Sequence, residues 1–190
     1  MELTTTILAC DPLRTLSWFN LARAKLWAGD SVGALEVARE GTEIAPGAWL
    51  TMTLIQALVK NGMYDEALRV IESDVRDVDL ANVFQILVAA HQGDEERYGQ
   101  LLAEYDDNFT GQFFDIIVHA WGGSRDAANR RAAEIDEHFF GAQVLWQITN
   151  WCQCGSPWEL DATPNFAAKI NEANIAWPPK TPLTYPLKDW

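Results

Sequence analysis

Apolar residues recur along the chain at helical spacing. Leu16, Phe19, Leu21, Ala24 and Leu26 follow a 3.6-residue period, and Ala34, Leu35, Val37, Ala38 and Ile44 form a second stripe. Between them Gly29-Asp30-Ser31 breaks the pattern, and either Asp30 or Ser31 can accept a first-turn N–H as an N-cap. Pro46-Gly47 closes the second stripe, because proline lacks a donor and glycine tolerates left-handed backbone. Residues 48–61 and 64–75 then read as two more helices with Gly62 at the turn.

This unit repeats. Aligning Gly29 with Gly62, 33 residues apart, places Ala34-Leu35 on Ala67-Leu68. Gly93 follows Gly62 by 31, Gly123 follows Gly93 by 30, and Gly155 lies 32 further on. A period of this length with a glycine-centred turn signals stacked helical hairpins. Two helices of about 13 residues plus two tight turns fill it.

The string Trp18-x2-Leu21-Ala22-x6-Gly29-x4-Ala34-x11-Pro46 resembles a tetratricopeptide repeat. Small Ala22 and Ala34 let paired helices approach, while Trp18 and Leu21 fill the groove between them. Lys25 and Ala38 depart from the family pattern. The second unit keeps Leu54, Gly62, Tyr64, Ala67 and Leu68 but has Thr51 and Asp79 at the Trp and Pro positions. A third unit (79–107) and a fourth (111–140) keep little beyond Gly93, Gly123 and Ala127-Ala128. The resemblance covers about residues 12–140. It implies an all-α fold, a right-handed α-α superhelix of about four hairpins. The start, ending Ala9-Cys10-Asp11-Pro12, reads as the tail of an earlier repeat, so that the chain is part of a longer protein, or as a cap formed by residues 3–9.

Residues 142–151 read as a helix. Thr163 as N-cap and Pro164 at the first helical position open another over 165–173, with Phe166 and Ile170 on one face. Prolines 178, 179, 182 and 186 favour extended backbone. Trp177, Tyr185 and Trp190 are too apolar for a free tail, so the tail is expected to cap the last hairpin. The organisation expected is therefore repeats over 1–140 and a capping segment over 141–190, packed as one unit. A helix-then-proline ending is similar to that of bacterial signalling proteins that place repeats after a cyclase or winged-helix domain. That likeness implies a sensory or scaffolding, regulatory portion of such a protein.

Charge narrows the partners. The formal net charge is −13, and residues 72–137 hold fifteen acids against five arginines. Phosphate backbones and anionic membranes repel such a surface, which argues against nucleic acid and membranes as partners. No run of about eighteen apolar residues is present to span a bilayer. Three cysteines do not make a disulfide framework, and a reducing compartment is the simplest setting.

Catalytic and metal signals are weak. Cys152-x-Cys154 supplies two of the four ligands a tetrahedral site needs, and neither His138 nor Cys10 stands at motif spacing. His91 and His119 precede glycine turns, where cations favour helix C-termini. Asp94-Glu95-Glu96 suits a first helical turn. Asp106-Asp107 and Gly122-Gly123-Ser124 match no catalytic or phosphate-binding pattern. The reading is a non-enzyme without cofactor or metal.

The family resemblance implies that the first helix of each hairpin lines a concave groove. Its expected residues are Phe19, Arg23 and Trp27 from the first repeat, Trp49, Met52 and Gln56 from the second, and Val83, Leu87 and His91 from the third. Aromatics and Met suit capture of a peptide or amphipathic helix. The family's clamp for acidic C-termini needs Lys and Asn, whereas Phe19, Arg23, Trp49 and Thr53 stand here. The leading expectation is a protein-interaction scaffold. The alternatives are a homo-oligomerisation module, forming a homodimer, and a metal or redox protein using Cys152 and Cys154.

Overall fold

A computed structural model describes residues 6, 8–105, 112–121, 124–152 and 157–177. Among the described residues the structure is helical, without strands. The helices are α1 (Thr15–Trp27), α2 (Ser31–Ile44), α3 (Ala48–Lys60), α4 (Tyr64–Asp74), α5 (Val78–Gln92), α6 (Glu95–Glu104), α7 (Gln112–Trp121), α8 (Arg125–Asp136), α9 (Gly141–Cys152) and α10 (Pro164–Glu172). A 3-10 turn at Leu160–Ala162 precedes α10. The chain divides into two compact units, the second beginning at Ala89, within α5.

The glycine bends share one geometry. Gly29, Gly62 and Gly93 have φ of 78°, 71° and 72°, the left-handed region where a side chain is strained. At each, the next residue donates its N–H back five positions: Asp30 to Lys25 at 2.9 Å, Met63 to Leu58 at 2.9 Å, Asp94 to Ala89 at 3.0 Å. The glycines donate to Leu26, Val59 and Ala90, completing the same Schellman closure three times. Ser124 donates to the His119 carbonyl at 2.9 Å in the same six-residue pattern. Gly123 itself, like Gly155, lies outside the described residues. The next helix is started by a side chain: Asp30 accepts the Gly33 N–H and Asp94 the Arg97 N–H, both at 2.9 Å.

In the first unit α1 packs on α2 and α3, and α3 packs on α4. Ala22, Ala34, Ala38, Ala57 and Ala67 are fully buried. Gly41 shows how tight the crossing is. A Cβ there would stand 2.7 Å from Trp18 Cβ and 2.9 Å from Leu50 Cδ2, which accounts for a glycine in mid-helix. Trp18 is buried and its Nε1 donates to the Pro12 carbonyl at 2.7 Å. Successive turns are tied together by Asn61, whose Nδ2 donates to the Ser31 and Ala57 carbonyls at 2.8 and 2.7 Å. Arg39 of α2 grips both oxygens of Glu66 on α4 at 2.7 Å. Leu16 and Ile44, placed on apolar stripes by the sequence, and Leu68, aligned with Leu35, are exposed.

In the second unit α7 pairs with α8, α9 packs on both, and α10 lies against α9 and α8. Asp115, fully buried, accepts hydrogen bonds from Tyr105 Oη at 2.6 Å and Arg131 Nε at 3.0 Å. Thr163 precedes α10 as expected but does not cap it. Its hydroxyl donates to the Leu160 carbonyl and accepts from the buried Trp158 Nε1 at 3.1 Å. Asp136 of α8 caps α10 instead, accepting the N–H groups of Asn165 and Phe166, each at 2.8 Å. Trp177 packs within the C-terminal segment, 5.5 Å from Trp158 and 5.2 Å from Phe166 between ring centres. Tyr185, Trp190 and the prolines after Trp177 lie outside the described residues.

Candidate functional site: an aromatic strip on α1 and α3

Helical spacing on α1 brings Phe19, Arg23 and Trp27 onto one edge, four residues apart. The Arg23 guanidinium lies 5.6 Å from the Phe19 ring centre and 5.1 Å from that of Trp27. It is only 4% exposed, and burial lowers its pKa to about 10. The group therefore keeps its charge at neutral pH, and the ring faces replace part of the lost hydration. On α3, Trp49 tilts against Phe19 at 6.2 Å and is 58% exposed. Its Thr53 neighbour donates its hydroxyl to the Trp49 carbonyl at 2.9 Å. Phe19, Trp27 and Trp49 are thus joined into an aromatic strip around a positive charge.

The remaining residues expected in the groove are distributed differently. Met52, Gln56, Val83 and Leu87 are buried, as is Arg23. They offer little surface to a ligand. The reason is visible in α3, where every residue from Met52 to Val59 is buried. Over those eight residues the helix is covered all round and has no ligand-facing stripe to read from periodicity, which leaves Trp49 as its exposed aromatic. His91 belongs to the second unit, half-buried and nearly perpendicular to the Trp121 ring at 6.4 Å.

No family model matches the chain, and no curated protein does.

Among the described residues no three side chains of His, Cys, Asp or Glu converge as metal ligands would. Cys152 ends α9, whereas Cys154, Asp106-Asp107 and Gly122-Gly123 lie outside the described residues. His91 and His119 occupy last turns of α5 and α7, and Asp94-Glu95-Glu96 opens α6. His138 is exposed in the bend after α8.

Sequence reasoning missed one feature of the second unit. Residues around the Gly93 bend and Trp121 of α7 line an open cavity of about 400 Å³. Tyr98 and Trp121 are aromatics 23 positions apart, and no local pattern joins them.

Proposed function

We propose that this chain is a protein-interaction scaffold, a tetratricopeptide-like superhelix of about four hairpins that holds a peptide or amphipathic helix against α1 and α3. The observation that carries the reading is Trp49, largely solvent-exposed and braced on Phe19, beside the ring-flanked Arg23. Rigid aromatic side chains provide large contact area at small entropy cost, which is why they anchor interfaces. A net charge of −13 favours basic or neutral protein segments over nucleic acid. The helix-then-proline ending supports a regulatory role within a larger signalling protein, and the cysteine usage supports a cytoplasmic setting.

Panning a displayed peptide library against the chain tests this. Enriched peptides should bind Trp49→Ala and Phe19→Ala about 5–30-fold more weakly, the range of one interface anchor. Failure to enrich any sequence, or equal binding by both variants, overturns the reading.

Self-association is favoured by a different observation. Phe139 and Phe140 are 94% and 65% exposed, and their rings stack edge-on at 4.8 Å in the bend before α9. Adjacent exposed phenyl rings supply apolar surface that a second copy could cover. Light scattering on Phe139→Ser/Phe140→Ser decides it: a wild-type dimer that becomes monomeric supports the second reading, and a wild-type monomer removes it.

A further inference from the structure

The cavity of the second unit has walls and a rim of distinct chemistry. Tyr98 and Trp121 contribute aromatic surface, while Asp94 and Glu95 contribute carboxylates. Tyr98 spends its hydroxyl on the Val118 carbonyl, donating at 2.9 Å, so that what it presents to a ligand is the ring. Trp121 is half-buried and stands nearly perpendicular to His91. Asp94 uses Oδ1 to accept the Arg97 N–H, and neither Asp94 nor Glu95 joins a salt bridge among the described residues. The positive end of the α6 dipole, about half an elementary charge, offsets only part of two carboxylates.

We propose that this cavity binds the guanidinium group of an arginine presented by a peptide. A planar cation lies flat on an indole or phenol face and directs its N–H groups sideways to carboxylates. Ammonium is more strongly hydrated and has no plane to stack, so lysine fits the same walls less well. The volume, about 400 Å³, falls in the range of ligand pockets and accommodates one long side chain. The site belongs to the second unit and stands or falls independently of the aromatic strip on α1 and α3.

The test is titration of the full chain with acetyl-tetra-arginine amide, followed at the Trp121 indole N–H resonance, assigned through Trp121→Phe. A saturable shift is expected. Asp94→Asn/Glu95→Gln should weaken binding about tenfold, since asparagine still caps the helix while both rim charges are gone. The charge-matched Glu36→Gln/Glu43→Gln should change it less than about twofold, because neither residue lines the cavity. Tetra-lysine should bind about fivefold more weakly. No shift at Trp121, equal weakening by both double variants, or equal affinity for tetra-lysine or spermine overturns the proposal.

Discussion

The Asp136 carboxylate spans the first turn of α10, with Oδ1 accepting the Phe166 N–H and Oδ2 the Asn165 N–H, each at 2.8 Å. Its own carbonyl also accepts from Asn165 Nδ2 at 3.0 Å. One residue, the last of α8, thus fixes where α10 begins, and α10 in turn positions Phe166 under Trp158 and Trp177. Both bonds are charge-assisted and Asp136 is only 3% exposed, so removing it leaves buried N–H groups unsatisfied. Asp136→Ala should cost about 2–4 kcal/mol in urea unfolding, with amide exchange in α10 accelerated first. Asp136→Asn keeps one acceptor and should cost less. An unchanged midpoint for the alanine variant would show that the Thr163 region caps α10 unaided.

Three glycines separate three causes. Gly62 has φ of 71° and open space around its missing side chain, so Gly62→Ala should destabilise by about 1–2 kcal/mol through backbone strain alone. Gly41 has helical backbone but no room, because a Cβ meets Trp18 and Leu50. Gly41→Ala should cost about 1–3 kcal/mol by overpacking. Gly99, inside α6, has neither restriction, and Gly99→Ala should stabilise by about 0.5–1 kcal/mol. Thermal or urea unfolding of the three variants checks the order; destabilisation by Gly99→Ala would contradict it.

The contrast among these glycines marks what the sequence could convey. Gly29, Gly62 and Gly93 were legible because a left-handed turn demands glycine and the demand recurs at a fixed period. Asp30 was legible because capping is local. Gly41 was not, since its reason is a tryptophan 23 positions away. The aromatic strip was half legible: four-residue spacing places Phe19, Arg23 and Trp27 together, but spacing says nothing of burial. Met52, Gln56, Val83 and Leu87 have the composition of a ligand face and are buried. The cavity beside Trp121 and the cap from Asp136 arise from elements about 30 residues apart, which no pattern in one helix records.

Acid should unlock the first bend. Asp30 accepts from Lys25 Nζ at 2.8 Å and from the Gly33 N–H, and these two partners hold its carboxyl below the ordinary aspartate value. A depressed native pKa means the stabilisation is complete above the unfolded value of about 4 and disappears as pH falls through the native one. Asp30→Asn retains the cap and loses the ion pair. The stability difference between wild type and Asp30→Asn should therefore be constant from pH 7 to about 5 and shrink below about 4. Salt should reduce it too, because the pair is exposed. A difference that grows on acidification would refute the assignment.

Arg23 sets burial of a charge against two aromatic faces. Burial lowers its pKa to about 10, and cation–π contact with Phe19 and Trp27 returns about 0.5–2 kcal/mol for each ring. The two effects are of similar size, so Arg23→Met, which keeps length and removes charge, should change stability at pH 7 by less than about 1 kcal/mol or stabilise. The pH dependence separates the contributions. Above about 10 and below the ordinary guanidinium value, the unfolded chain binds more protons at this position than the native one, so wild-type stability gains on Arg23→Met as pH rises through that window. Below about 10 both states are charged and the difference is flat. Denaturant unfolding of the pair from pH 7 to 10.5 measures both. If Arg23→Met lost more than about 2 kcal/mol at pH 7, the rings would outweigh desolvation. The guanidinium would then be a net anchor of the strip, and the proposed peptide-binding face would depend on it for its shape.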